Sequence, residues 1–274
     1  MLLRDTQVLN VDDVYGADID SFIMQINAYL NRLLTRPMLD IRWFKVKRID
    51  YCFNIKTDHV QTYLDFMTKA FMCVNKRSRK NYAQEKKLKG SVYGKTKSDY
   101  DQNERRNYVL NFYDKTDRLM KLKAKGMKIR DEDIEAAKNI LRLEVQCGYQ
   151  LVKQLCQALS IENLFGNLFD YAVAVAAEER AYYRVFGCGV EQDFYAYQAA
   201  KKLLPPRSDA ARAALYSAAT NHRIRGKKYA HGCSVIKKAG IYPHCFLPEG
   251  CGADRLDNPL KLILAKLESM QISV

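Results

Sequence analysis

The sequence predicts an α+β protein, with strands and helices intermixed in its first half and a helical region after them. Two observations carry this. The segments Phe44–Ile55, Asn107–Lys115 and Ile140–Cys147 alternate apolar and polar residues with period two, as half-buried strands do, and stretches of helical spacing separate them. Beyond about residue 150 the apolar residues keep helical spacing, punctuated by Ser, Gly and Pro. A chain of 274 residues has room for a large domain plus a smaller one, and the change of pattern divides it into 1–157 and 158–274.

Taken in order, a first helix is expected over 17–34, where Ile19, Phe22, Ile23, Ile26, Leu30 and Leu33 share a face. The strand over Phe44–Ile55 leads to a helix over His59–Val74, with Val60, Tyr63, Leu64, Met67, Phe71 and Val74 as its apolar stripe. Residues 75–90 break the pattern, carrying seven Lys/Arg and one Glu. Strands over Ser91–Gly94 and Asn107–Lys115 follow, then a charged helix–turn stretch over Thr116–Ile140 and a strand over Ile140–Cys147. Ser160 is expected to cap a helix over Leu164–Phe186, and Ser208 one over Asp209–Arg223. Between them a helix over Glu191–Leu204 stops at Pro205-Pro206. Helices over Lys227–Ala239, stopped by Gly240, and from Asn258 onward complete the chain.

Lys and Arg outnumber Asp and Glu by 45 to 31, a net charge of +14. Nucleic acid is the first acidic partner this suggests, because neutralising phosphates releases condensed counterions; an anionic membrane surface is the second. The longest apolar run, residues 171–177, is far short of the ~20 residues that span a bilayer. The opening residues carry acids and no apolar core, so they do not read as a secretory signal. Eight cysteines are scattered without C-x-x-C spacing and read as reduced thiols of a cytoplasmic protein. His231, Cys233, His244, Cys245 and Cys251 cluster in sequence, but their spacings fit no standard zinc pattern.

The chemistry lies in how the strands distribute polar residues. Residues two apart share a face, so Arg48, Asp50, Cys52 and Asn54 oppose Ile49, Tyr51, Phe53 and Ile55. Likewise Arg142, Glu144 and Gln146 oppose Leu141, Leu143, Val145 and Cys147, while Asn111, Tyr113 and Lys115 oppose Leu110 and Phe112. In one sheet, these polar faces would gather two carboxylates, two arginines, a tyrosine and a lysine. Neighbouring carboxylates repel and call for a divalent cation or a proton between them. Such a cation polarises phosphoryl oxygens. Tyr113 beside it becomes a nucleophile candidate, activated by the metal and Lys115, since a free phenol titrates near ~10. The same alternation also describes the solvated face of an ordinary sheet, with Arg and acid paired across strands and tyrosine used for packing. The basic segment with Lys76, Arg77, Arg79, Lys80, Lys86 and Lys87 reads either as a solvated loop or, through Tyr82, as a stacking surface for bases.

The order of motifs is more specific than any one of them. Asp-Val-Tyr-Gly (13–16) precedes a helix and Val46-Lys-Arg-Ile-Asp50; then come Leu110-Asn-Phe-Tyr-Asp-Lys115, Arg118-Leu119, Leu141-Arg-Leu-Glu144 and Asn163-Leu-Phe-Gly-Asn-Leu-Phe-Asp170. Over residues 10–175 this resembles the phage and plasmid replication initiators of the filamentous-phage gene II/X type, which are similar to the wider rolling-circle initiators. The resemblance implies an antiparallel sheet of the rolling-circle nuclease type flanked by helices. It implies a metal-dependent enzyme that nicks one strand of origin DNA through a tyrosine, forms a 5′-phosphotyrosyl intermediate and later rejoins strands. The family's nucleophile falls on Tyr113, and its two Arg-x-acid strands on Arg48 with Asp50 and on Arg142 with Glu144.

Many rolling-circle nucleases hold their metal with a His-x-His pair. Here the histidines are His59, His222, His231 and His244, none two apart, so Mg²⁺ or Mn²⁺ is expected on Asp50 and Glu144. Lys115 and Arg142 are expected to offset transition-state charge. Tyr108 would face away from Tyr113, leaving a single nucleophile. Relatives carry a β-rich segment before the Tyr-Gly motif, so the nicking domain reads as N-terminally shortened. Arg48 is expected among the DNA-binding residues, the 75–106 segment is expected to track single-stranded DNA, and Arg225, Lys227 and Lys228 to hold duplex phosphates, with a helix-turn-helix role open for 227–247. Implied partners are single-stranded and duplex origin DNA and the host's helicase and polymerase, in the bacterial cytoplasm. Two rival functions keep the same residues: a metal-dependent nuclease that uses water, and a non-catalytic DNA-binding regulator descended from an initiator.

Overall fold

Alternation of apolar and polar residues produces four strands: β1 (Ile49–Lys56), β2 (Ser91–Lys95), β3 (Tyr108–Asp114) and β4 (Ile140–Cys147). In this computed structural model the described residues are 16–34, 39–74, 91–95, 108–187, 189–205, 208–220 and 226–271. The expected basic positions Lys76, Arg77, Arg79, Lys80, Tyr82, Lys86, Lys87 and Arg225 lie outside them. By its contacts the chain forms two units, residues 1–58 with 95–181 and residues 59–94 with 182–274. With mixed helices and small antiparallel sheets, the protein is α+β.

In the first unit β4 is the middle strand, antiparallel to β1 on one side and β3 on the other. Cys52 and Asn111 flank Glu144, Asn54 and Tyr113 flank Arg142, and Asp50 lies opposite Gln146. One face is wholly apolar, with Tyr51, Phe53, Ile55, Leu110, Phe112, Leu141, Leu143, Val145 and Cys147 all buried. That face is covered on the β1 side. The Tyr51 hydroxyl donates to Leu168 O at 2.7 Å, and Phe53 meets Tyr171 edge-on with centroids 5.4 Å apart. Burying side chains of this size contributes about 1.5–3 kcal/mol each, enough to fix the register.

The helices are α1 (Gly16–Leu34), α2 (Val60–Val74), α3 (Lys115–Ala124), α4 (Asp131–Ala136), α5 (Tyr149–Leu159), α6 (Phe165–Leu168) and α7 (Tyr171–Phe186). They continue with α8 (Tyr197–Leu203), α9 (Asp209–Thr220), α10 (Lys227–Lys238) and α11 (Pro259–Gln271). Four sequence expectations change. The strand predicted from Phe44 begins at Ile49, because Asp40 caps a 3₁₀ turn over Ile41–Trp43 and Asn163 occupies the N–H and C=O of Val46, each at 3.2 Å. A backbone bonded to a side chain has no groups left for a ladder. Ser160 does not start a helix; it ends α5 in the left-handed region at φ 54°, and Asp170 caps α7 instead. The predicted helix–turn stretch begins a residue early at Lys115, since the Asp114 carboxylate accepts from the Thr116 and Asp117 amides.

The fourth change is in the second unit, which is not helical throughout. The predicted helix from Glu191 is replaced at its start by β5 (Phe194–Tyr195), paired antiparallel with β6 (Arg255–Leu256). Asp193 is tied by its backbone to Gly240 and Tyr242, which draws the segment out of helix. Phe194 stacks on Phe66 of α2 with centroids 3.9 Å apart, and Tyr242 meets both rings edge-on. Gly232 of α10 lets that helix press onto α9, where a Cβ would lie 2.2 Å from the carbonyl oxygen of Ala210.

Candidate functional site

Of the two sheet faces in the first unit, the polar one holds the chemistry. β4 places Arg142, Glu144 and Gln146 in its middle, β1 adds Asp50, Cys52 and Asn54, and β3 adds Asn111 and Tyr113, with Lys115 opening α3 just beyond. Glu144 is the hub. Its Oε2 accepts from the Tyr113 hydroxyl at 3.1 Å, and its Oε1 accepts from Gln146 Nε2 at 2.8 Å and Asn111 Nδ2 at 3.4 Å. Arg142 Nε stands 4.0 Å from Oε2, while the rest of its guanidinium donates to Asn54 Oδ1 at 3.1 Å and to Cys52 Sγ. Asp50 is clasped by Arg48 through two parallel bonds of 2.9 and 2.7 Å.

Burial sets the protonation states. Loss of water pushes the Tyr113 phenol well above its ordinary pKa, Arg142 pulls the other way, and Glu144 raises it again. The phenol is therefore neutral near pH 7 and needs an acceptor for its proton. Burial also lowers the Lys115 ammonium to about 8, aided by repulsion from Arg142. Cys52 is pushed upward by burial, so the thiol beside Arg142 is not an activated nucleophile.

Tyr113, Glu144, Arg142 and Lys115 thus come together as the strand faces predicted, with Asp50 and Arg48 on the same face. The Arg48 guanidinium is engaged by Asp50. Lys227 and Lys228 are exposed at the start of α10, in the other unit. Among the described residues no group of three or more His, Cys, Asp and Glu is placed to hold a metal. His231, Cys233, His244, Cys245 and Cys251 are accordingly not gathered into one such group, and a cation on the strand face would have two protein carboxylates. Cys52, Cys147, Cys156, Cys233, Cys245 and Cys251 are free thiols.

One residue escaped the sequence reading. Glu178 of α7 is fully buried, and neither carboxyl oxygen has a hydrogen-bond partner among the described residues. Burial, and next the charge of Glu144, hold its pKa well above the carboxylate range. Its signal in the sequence is an acid at the same helical phase as Ala174 and Ala181 in an otherwise apolar stripe.

The geometry can be compared with known proteins. The profile of the N-terminal family of the phage replication-associated gene II protein matches residues 9–165, more than half of the chain. The chain belongs to this family. Searches of curated proteins and of solved structures return no match. The matched span contains β1, β3 and β4 and every residue of the strand face, so the phage replication-associated family and the polar cluster coincide. Membership makes the chain a phage-type replication initiator, of the rolling-circle gene II kind, and implies origin DNA as its partner. Among the described residues no helix is long and apolar enough to cross a membrane.

Proposed function

We propose that this initiator nicks one strand of origin DNA by direct attack of Tyr113, using residues 1–157 for chemistry and 158–274 for helical contacts to DNA. The observation that carries the reading is the hydrogen bond from the Tyr113 hydroxyl to Glu144 Oε2, with Arg142 and Lys115 beside it. Nucleophile, proton acceptor and cations are the parts in-line phosphoryl transfer requires.

In this mechanism the Tyr113 oxygen bonds to phosphorus as its proton passes to Glu144 Oε2. The bond from phosphorus to the 3′ oxygen breaks, and that oxygen takes a proton from water. The products are a 5′-phosphotyrosyl ester and a free 3′-hydroxyl that can prime synthesis. Arg142 and Lys115 offset the charge that accumulates on the phosphoryl oxygens. Attack of a 3′-hydroxyl on the ester reverses these steps, so strands rejoin with no nucleotide consumed. Asp50 and Glu144 supply the hard oxygen pair that would hold Mg²⁺ or Mn²⁺, which when bound would polarise a phosphoryl oxygen. Their fit rests on donor chemistry: magnesium is commonly held by one or two carboxylates together with substrate phosphates.

The duplex would meet Arg225, Lys227 and Lys228, and the single strand the basic segment that includes Lys76 and Lys80, leaving the 3′-end to the host helicase and polymerase. The test is to incubate the protein with single-stranded oligonucleotides and Mn²⁺, denature it and read its mass. A nucleotide adduct on Tyr113, absent from Tyr113→Phe, supports the proposal. Cleavage that survives in Tyr113→Phe without adduct assigns the site to a water-using nuclease, and binding without cleavage assigns it to a regulator.

A further inference from the structure

The segment that failed to become strand forms an exposed surface of the first unit. Residues 42–48 read Arg-Trp-Phe-Lys-Val-Lys-Arg, four cations interleaved with two aromatics and no acid. Trp43, the single tryptophan of the chain, is 71% exposed, and Phe44 is 42% exposed. Lys45 and Lys47 are exposed, and among the described residues no acid pairs with either. Arg42 is held by Asp20 and Asp40, and Arg48 by Asp50.

The segment is firmly built. Asn27 accepts from the Ile41 amide at 2.8 Å and donates to Asp40 at 3.0 Å. Phe44 O accepts from the Phe165 amide at 2.9 Å, Asn163 brackets Val46, and Gly166 lies close enough to Arg42 that a Cβ would be 3.2 Å from its side chain. Fixing a backbone while leaving its indole in water forgoes the burial that a tryptophan usually supplies. A ring held in that way gains from a flat apolar partner that stacks on it, and Lys45 and Lys47 beside it gain from negative charge on that partner.

We propose that Trp43 and Phe44, with Lys45 and Lys47, form a platform for single-stranded DNA, on which bases stack while the lysines meet the flanking phosphates. The segment runs straight into β1, whose Asp50 lies on the site face, so the platform feeds the strand that enters the site. A protein partner would suit the aromatics, but it would leave unexplained Lys45 and Lys47 beside them, which pair with no acid among the described residues; charge complementarity selects nucleic acid. The identity of the strand rests on the nicking reading, whereas binding to the platform does not.

The experiment uses the full chain in EDTA, so that no cleavage occurs, with a labelled mixed-sequence oligonucleotide. Excitation at the red edge isolates Trp43. Its emission should be quenched with the same midpoint that anisotropy of the oligonucleotide reports. Trp43→Ala should weaken binding by about five- to a hundredfold, the weight of one stacked base, and Trp43→Phe by less. Replacing Lys45 and Lys47 by Gln should flatten the salt dependence of log K by about 1.4, two phosphate contacts on a single strand. Circular dichroism checks the fold of each variant, and quenching in the unaltered chain reads the contact without any substitution. Binding with Trp43 unquenched and Trp43→Ala unaffected overturns the proposal. So does an absence of binding, or an emission change with anionic vesicles but not with the oligonucleotide. Because adduct formation on Tyr113 is not part of this assay, either reading can fail while the other stands.

Discussion

The Tyr113 hydroxyl and Glu144 Oε2 are 3.1 Å apart, and the other oxygen of Glu144 is held by Gln146 and Asn111. The two amides leave the carboxylate one orientation, in which its remaining oxygen faces the phenol. If that oxygen takes the proton, Glu144→Gln should slow single-turnover nicking by about 10²–10⁴, the usual weight of a general base, and keep oligonucleotide affinity within a fewfold. A rate near that of the unaltered protein would remove Glu144 from the proton's path.

The lowered pKa of Lys115 would give the proposed reaction a pH signature. Its ammonium loses the proton as pH rises through about 8, so transition-state stabilisation should fade and the nicking rate should fall above that value. Lys115→Arg keeps its charge throughout this range and should hold its rate to higher pH, at whatever level its geometry permits. Rate–pH profiles of the two proteins measure this; parallel profiles mean that Lys115 does not act through its charge.

Glu178 should shape stability rather than catalysis. Its folded pKa is raised well above the ordinary value of 4.5. Its contribution is therefore fully present below pH 4.5 and is lost as pH rises toward the folded pKa, because the unfolded chain releases the proton first. The loss is at most about 1.4 kcal/mol per pH unit. Glu178→Gln cannot titrate, so in urea unfolding it should gain on the unaltered protein as pH rises above 4.5 and lose that gain below it. An identical pH dependence in both would place a partner on Glu178 in solution.

Gly232 sits where α9 and α10 touch. In a free helix Gly→Ala gains about 1 kcal/mol. Here the new Cβ would be 2.2 Å from a backbone oxygen and 2.8 Å from the Ala214 Cβ, so overpacking of about 1–3 kcal/mol should prevail. Thermal melting should show Gly232→Ala as destabilised; a raised melting temperature would mean that the helices separate freely.

The strand faces were legible because a period of two needs no knowledge of the partner strand: Asp50, Tyr113, Arg142 and Glu144 took the same side whatever the pairing. The outcome at Phe44–Arg48 was not legible, since what stops the strand is Asn163, 117 positions along the chain. β5 and β6 have two residues each, too few to show any period. Glu178 belongs to the same class of omission. A helix residue shows its phase in the sequence, but whether a carboxyl at that phase finds a partner is decided by what packs above it.

The acid and the guanidinium at the centre of the site stand on β4, which has a strand hydrogen-bonded along each side and an apolar face beneath it. The amide protons of residues 141–146 should therefore exchange with solvent only when the whole unit opens. A scaffold of that kind cannot breathe around its substrate. On the proposed mechanism, fitting a phosphodiester to Tyr113 would then fall to the DNA, whose backbone would bend to the geometry it finds.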